Sequence, residues 1–175
     1  NQSKMINVSK FVDEKGVLNW KAPAKGMWRI IRFGHTSTGH EKATAGAGRG
    51  LEVDKFNAEA VRFQLDHWFG EMVRTIGPDL AAKTLEILHF DSWECGSQNW
   101  SAVFQAEFQK RRGYNLVDYL PVMAGIPIES ADITEKVLYD VRKTIAELVA
   151  DNFYATVAQI AKENNVKLSS ENVAP

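Results

Sequence analysis

The stretch that decides the fold is residues 84–94, which read TLEILHFDSWE. Residues 84–90 place apolar side chains on both faces of an extended chain, and such a strand is typical of the buried interior of a parallel sheet. Acidic residues follow at once, because Asp91 and Glu94 come directly after the strand. In parallel α/β barrels the active site lies at the carboxyl ends of the strands. The stretch therefore predicts both a parallel sheet and a group of functional carboxylates at its edge.

The residues before and after this strand predict helices. Asn57 is a good N-cap for a helix whose apolar residues recur until Gly77-Pro78 stops it. Residues 100–112 predict a second helix, which ends at Gly113 with three basic residues in its last turn. A further short helix is expected over residues 116–124.

The longest helix is predicted to begin at Asp132, with Glu135 as the partner in a capping box. Its apolar stripe continues to Ile160. A coiled coil is the alternative, but the stripe drifts from strict heptads, which favours a helix packed on a barrel. Residues 166–170 then predict a second strand, which ends at Glu171.

The order strand, helices, strand predicts the α/β class. A complete eight-stranded barrel takes ~250 residues, so we expect about half of a (β/α)8 TIM-type barrel. We assign residues 39–175 to this partial barrel as a catalytic domain, beginning with the glycine-rich loop 39–50. Residues 1–38 are predicted to form a short β-rich segment, because residues 16–20 and 27–33 favour strands.

Composition narrows the classes of function. Hydrophobic residues are 45% of the chain, charged residues 25%, and the net charge is -1. These values are typical of a globular protein and disfavour nucleic-acid binding. No apolar stretch approaches the ~20 residues of a membrane span. The single cysteine, Cys95, excludes an internal disulfide, and the four histidines follow no zinc pattern. We expect His89, inside the strand, to be a core histidine.

Three carboxylates, Asp91, Glu94 and Glu171, are expected on one edge of the sheet because each follows a strand. Hydrolysis of a glycosidic bond needs two carboxyl groups, one as an acid and one as a base or nucleophile. Neighbouring Trp93 and Trp100, with Gln98 and Asn99 between them, suit a sugar, since flat rings pack on its apolar face and amides bind its hydroxyls. The alternative is structural: Asp91 would cap the next helix, with Glu94 in its first turn.

Glu52 and Asp54 form a second acidic pair, after the glycine-rich loop. Their oxygens suit sugar hydroxyls or a hard cation. The alternative is a solvated strand end that Lys55 neutralises.

Several motifs resemble those of the α-L-rhamnosidases of glycoside hydrolase family 106. They are residues 28–34 (WRIIRFG), 50–55 (GLEVDK), 91–100 (DSWECGSQNW), 108–116 (FQKRRGYNL), 119–121 (YLP) and the long helix up to Glu171. The similarity covers nearly the whole chain in the right order. Two positions depart from the family pattern: Trp93 and Cys95 stand where a tyrosine and a small aliphatic residue are expected.

The resemblance implies an inverting hydrolase that removes terminal α-linked L-rhamnose from plant-type glycans, with calcium helping to hold the sugar. It makes Glu94 a catalytic carboxylate, the general acid, and Asp91 an essential neighbour. It places Glu52 and Asp54 at the sugar or calcium site, and Glu171 at an acidic position at the end of the next strand. Glu52, Asp54 and Glu171 are thus the candidate calcium ligands.

Family enzymes are far longer than this chain, so we expect the second catalytic carboxylate to lie in the rest of a longer parent protein and the isolated chain to be inactive. The expected partners are an oligo- or polysaccharide and either the rest of the parent or a second copy of the chain. The parent is expected in the bacterial periplasm or outside the cell, although residues 1–4 carry no signal-peptide core. The alternative is a non-catalytic carbohydrate-binding or interaction module built from half a barrel.

Overall fold

A computed structural model describes residues 5–41, 46–91 and 98–171. Their regular elements are seven α-helices and two short strands. No helix in these three ranges is long and apolar enough to cross a membrane.

The two strands form a parallel sheet. Strand β1 spans Ile87–Phe90 and strand β2 spans Lys167–Ser170. Leu88 is paired with Leu168, and Phe90 with Ser170. The predicted parallel pairing is therefore confirmed, although β1 is shorter than predicted because Thr84 ends a helix instead.

A nearly continuous helical stretch precedes β1. Helix α1 spans Ala58–Leu65, a π-helical turn spans Asp66–Gly70, and α2 spans Glu71–Ile76. The predicted N-cap is confirmed, because the Asn57 side chain accepts hydrogen bonds from the amides of Glu59 and Ala60. Gly77 adopts a φ of 85°, which an L side chain rarely adopts, and it ends α2. Pro78 then begins α3, Pro78–Thr84, a helix that the sequence analysis missed.

The remaining helices lie between the two strands in the sequence. They are α4 (Phe104–Arg112), α5 (Leu120–Met123), α6 (Ala131–Leu148) and α7 (Ala155–Glu163). A 3-10 turn, Leu116–Tyr119, precedes α5, and a π-helical segment, Val149–Tyr154, joins α6 to α7.

The predicted capping box of α6 is wrong. Ser130 is the N-cap, since its hydroxyl accepts the amide of Ile133 at 3.1 Å, and the helix therefore begins two residues earlier than a cap at Asp132 would allow. Asp132 instead lies in the first turn of the helix, where a negative charge stabilises the helix dipole.

Two apolar clusters form the core. The first joins α4, α5 and α6, and consists of Phe56, Phe104, Phe108, Leu116, Val122, Ile128, Val137, Val141 and Leu148. The second joins α1 and α7 to β1, and consists of Val61, Leu65, Phe69, Leu88, Phe153, Val157, Ile160 and Ala161. The second cluster supports the strand that carries the predicted carboxylates.

The predicted β-rich segment forms no strand over its described residues. Val12 and Leu18 make a single antiparallel bridge, while residues 27–33 are exposed and irregular. Side chains as apolar as these favour a strand, but an extended chain needs a neighbouring strand for its amides and carbonyls. The domain boundary at residue 38 stays a prediction.

The fold class is thus a helix-rich α/β arrangement around a small parallel sheet. The two described strands are compatible with adjacent units of a barrel, and the barrel itself stays a prediction.

Candidate functional site

The carboxyl ends of β1 and β2 lie side by side. Phe90 pairs with Ser170, so the residues that follow, Asp91 and Glu171, leave the sheet at the same edge. The amide of Glu171 donates to the carbonyl of Phe90 at 2.9 Å, which extends the ladder by one bond. The prediction that these two carboxylates share an edge is therefore confirmed in geometry.

A histidine completes this edge cluster, which we define as His89, Asp91 and Glu171. Each of the three residues offers one possible metal-ligand atom, a ring nitrogen or a carboxylate oxygen, and these atoms all lie within 4.8 Å of one another. All three residues are exposed. The His89 Nε2 is 3.5 Å from Asp91 Oδ1, and its Nδ1 is 3.2 Å from the Ser169 hydroxyl. The imidazole thus bridges the two strand ends.

The prediction that His89 is a core residue is wrong, because its side chain is 49% exposed. Side chains alternate across a strand, and Leu88 takes the buried face of β1, so its neighbours Ile87 and His89 point away from that core. The expected burial of both strand faces is likewise absent from the described residues. Side chains two residues apart on a strand share a face, so the spacing of His89 and Asp91 was the signal that could have placed them side by side.

The residues at the centre of the predicted site, Trp93 and Glu94, lie outside the described residues. Their predicted roles in stacking and acid catalysis, and the separation between Glu94 and Glu171, stay predictions. The described structure fixes the residues on both sides of them, from Asp91 on one side to Gln98 on the other.

Glu52 and Asp54 belong to a second, half-buried cluster around Lys55. The Lys55 ammonium lies 2.8 Å from Glu52 Oε1, and the two side chains are only 7% and 16% exposed. Gln98 joins this cluster, since its Nε2 donates to Asp54 Oδ1 at 2.5 Å and its Oε1 accepts the Lys55 amide at 3.1 Å. The predicted neutralisation by Lys55 is confirmed for Glu52, but at a half-buried position and not at a solvated strand end.

Phe153 connects the two clusters. Its ring centroid lies 5.6 Å from the Lys55 ammonium and 5.9 Å from the Phe90 ring. Phe90, which lies between His89 and Asp91 in the sequence, and the buried Lys55 thus contact the same side chain, so both clusters are held by one part of the core.

The two predicted sugar-binding residues after Gln98 differ in burial. Asn99 is exposed, whereas Trp100 is half-buried and packs on Phe104 at a centroid distance of 5.3 Å. The His35 ring lies 6.3 Å from Trp100, and it brings the amino-terminal segment to this region. A role in sugar binding stays a prediction for both residues.

The carboxylates of the edge cluster fit a hard cation better than the carboxylates around Lys55. Calcium prefers several oxygen ligands, and Asp91 and Glu171 offer exposed carboxylates within reach of one another. Glu52 lies against an ammonium group, which repels a cation. Of the three predicted calcium ligands, Glu171 is therefore the one that the geometry favours.

Comparison with known proteins agrees with the motifs. The family model described as alpha-L-rhamnosidase, of glycoside hydrolase family 106, matches residues 1–174. A protein of Formosa agariphila whose name is that of a beta-glucuronidase is 42% identical over 171 residues, which cover 97% of this chain and 14% of that protein. A solved rhamnosidase from Novosphingobium sp. PP1Y has a TM-score of 0.78 and 32% identity, over 96% of this chain and 16% of that chain.

The chain thus spans only 14% to 16% of the length of these relatives. The family match, in contrast, covers nearly every residue of the chain. The chain belongs to the alpha-L-rhamnosidase family, glycoside hydrolase family 106.

Proposed function

We propose that this chain forms one carboxylate-bearing edge of the active site of a longer enzyme that removes terminal α-L-rhamnose from plant-type glycans. The observation that carries the proposal is the parallel register of β1 and β2, which brings Asp91 and Glu171 to a single edge. Glu94 follows Asp91 by three residues. The site would lie at the carboxyl end of a (β/α) barrel, as active sites of that fold do.

In this proposal Glu94 is the general acid that protonates the departing oxygen. Asp91 lies beside it in sequence, and a nearby carboxylate favours the protonated form of an acid, which a proton donor needs. Inversion further requires a general base about 6.5–9.5 Å from the acid, with a water between them. Glu171 fills that role if its carboxyl group lies at this distance from Glu94; beyond about 12 Å it would only bind substrate, and the base would come from the rest of the parent protein.

The other proposed roles concern the substrate. Trp93 and Trp100 would pack on the apolar face of the sugar, while Asn99 and Glu171 would bind hydroxyls. Where the base comes from the rest of the parent protein, Glu171 would instead help to hold calcium, which would supply positive charge that orients sugar hydroxyls. A glycan substrate of plant origin implies a bacterial periplasmic or extracellular enzyme.

The name of the Formosa agariphila relative supports a second candidate, hydrolysis of a β-glucuronide. A glucuronide carries a carboxylate, and its recognition needs cationic or hydrogen-bond-donating groups. The edge cluster presents two carboxylates and one histidine. Two carboxylates against one histidine would repel the carboxylate of a glucuronide, so the edge cluster favours a neutral sugar such as rhamnose.

The test is hydrolysis of an aryl α-L-rhamnoside and of an aryl β-D-glucuronide by the full-length parent protein. We expect turnover of the rhamnoside only. On an α-L-rhamnoside whose leaving group is an alcohol, which departs only when protonated, we expect a kcat/KM about 10²–10⁴-fold lower for Glu94→Gln, the usual contribution of a general acid. Glu135→Gln, on the exposed face of α6, is the matched control and should be fully active.

Two results of this test would contradict the proposal. Turnover of the glucuronide alone would favour the second candidate, and no turnover of any glycoside would favour the non-catalytic module.

A chelator-treated sample that regains activity only with Ca²⁺ would support the metal role. Full activity after complete removal of calcium would reject the proposed role of the metal.

A further inference from the structure

We infer that Asp54 and Gln98 form a clamp that positions the segment carrying Glu94, and that Asp54 acts in it as a hydrogen-bond acceptor and not through its charge. This inference rests on the proposed function. Both residues are positioning residues, since they act through Glu94. The role differs from the sugar or calcium contact that the family resemblance implies for Asp54.

The three bonds of Gln98 fix the orientation of its amide. Its Nε2 donates to Asp54 Oδ1 at 2.5 Å and to the carbonyl of Trp100 at 3.2 Å. Its Oε1 accepts the amide of Lys55 at 3.1 Å. A carboxylate and a carbonyl can only accept and a backbone N–H can only donate, so the reversed amide would lose all three bonds. The side chain is therefore held in one position.

Asp54 is in turn held by a rigid part of the core. Its Oδ1 also accepts the amide of Phe56 at 3.0 Å, and its carbonyl accepts the amide of Asn57, the N-cap of α1. Phe56 is fully buried, and its carbonyl accepts a hydrogen bond from Asn152 at 2.6 Å. The clamp thus connects Gln98 to a well-packed core.

The opposite end of the same segment is also held. The carbonyl of Phe90 accepts the amide of Glu171, and Asp91 lies beside His89. Only residues 92–97 separate these contacts from Gln98, and Glu94 is among them. The described residues on both sides of this segment are therefore held, Asp91 at the sheet edge and Gln98 in the clamp. A misplacement of about 1 Å can cost roughly 10²-fold in rate.

Both hydrogen bonds to the Asp54 side chain use the same oxygen, Oδ1. An asparagine side chain retains an oxygen at that position and can accept the same two bonds. A residue that binds a cation or a sugar hydroxyl through its charge cannot be replaced in this way. Asp54→Asn therefore separates the clamp from the role that the resemblance implies.

The test uses the full-length parent protein and a glycoside that the wild type hydrolyses and whose leaving group is an alcohol. We expect Gln98→Leu and Asp54→Ala to lower kcat about 10–100-fold with KM changed less than about threefold, because the acid is misplaced while the sugar contacts remain. Asp54→Asn should retain kcat within about fivefold. Tyr114→Phe removes a half-buried bond to Asp140 in the same core cluster as Phe56 but makes no contact with Asp54 or Gln98, so it is the control for a general loss of packing and should keep kcat.

A second readout separates positioning from a loss of folded enzyme. A misplaced acid slows substrates with poor leaving groups more than those with good ones, whereas partial unfolding lowers kcat equally for both. We expect Gln98→Leu, like Glu94→Gln, to lower kcat more for a substrate with a poor leaving group than for one with a good leaving group. The double variant should show no larger gap between the two substrates than Glu94→Gln alone. A loss in Asp54→Asn as large as in Asp54→Ala would overturn the inference in favour of charge-dependent binding. An equal loss for both substrates in Gln98→Leu would overturn it in favour of a purely structural role.

A wild type without activity on any glycoside would reject the proposed function itself. A wild type that is active, with variants that fail these tests, would reject only the clamp.

Discussion

Thr144 joins two helices through one fully buried hydroxyl. Its Oγ1 donates to the carbonyl of Asp140 within α6 at 2.7 Å and accepts the Nε–H of Arg112, at the end of α4, at 2.9 Å. Arg112 also makes a short ion pair with Glu147. The sequence predicted the basic end of α4 as favourable for its helix dipole, but the partners on α6 are more than thirty residues away and could not be read from local spacing.

We expect Thr144→Val to destabilise the 175-residue chain by about 1–3 kcal/mol. Valine has nearly the same shape, but it leaves the Arg112 Nε–H, in a side chain only 10% exposed, without the hydroxyl acceptor. Urea unfolding measures the loss, and Thr75→Val on the exposed face of α2 is the control. Equal stability of both variants would show that the buried hydroxyl contributes nothing.

At the scale of elements, the parts that sequence predicted well have local causes. Asn57 caps α1, Gly77 ends α2, and Gly113, with a φ of 82°, ends α4. Two of the missed features also have local causes, namely α3, which Pro78 begins, and the Ser130 cap of α6. Residues 27–33 form no strand in the described chain, and no local pattern predicts the π-helical turns at 66–70 and 149–154.

The same distinction applies to the candidate site. The edge carboxylates Asp91 and Glu171 could be predicted because each directly follows a strand. The bonds of Gln98 to Asp54 and Lys55 span more than forty residues, so its amide could be read only as a sugar ligand. His89 was misassigned because the apolar residues around it suggested burial on both faces.

A bidentate ion pair joins α1 to α7 and gives a pH-dependent prediction. Arg62 donates to both carboxylate oxygens of Glu163, at 2.8 and 3.2 Å. This hydrogen bond, and then a second one from Gln159, hold the pKa of Glu163 below its ordinary value. A folded-state pKa below the unfolded one means that the pair stabilises the fold above the unfolded pKa, about 4.3. That contribution is lost as the pH falls through the folded pKa.

We expect Arg62→Gln to raise the titration midpoint of the Glu163 carboxyl group, measured by NMR on the 175-residue chain, because the main cause of the lowered pKa is removed. The difference in stability between wild type and variant should be present at pH 7 and disappear in acid. Lys136→Gln, which removes an ion pair with Asp132 within α6, should leave the Glu163 midpoint unchanged. An unchanged midpoint in Arg62→Gln would show that the ion pair does not form in solution.

At the scale of the whole molecule, the described chain exposes large apolar side chains. Trp68 and Ile87 are each 56% exposed, and Leu80 is 52% exposed. Within the described ranges, the two-stranded sheet has an unpaired edge on each side. Exposed apolar residues and open strand edges favour association.

We therefore predict that the isolated 175-residue chain self-associates at micromolar concentration, and that Trp68→Glu combined with Leu80→Glu weakens the association. Sedimentation velocity over a concentration series measures both effects. A monodisperse monomer at all concentrations would contradict the view that this chain is part of a larger barrel.

The central claim, that Glu94 is the general acid of a rhamnoside hydrolase, is tested most directly by the leaving-group dependence of Glu94→Gln in the full-length parent protein. The measurement is kcat/KM on two α-L-rhamnosides, one with an acidic phenol and one with an alcohol as leaving group. An acidic phenol departs without protonation, so we predict a small loss for it and a loss of about 10²–10⁴-fold for the alcohol. Equal losses on the two substrates, or no loss on either, would contradict the assignment of Glu94 as the acid.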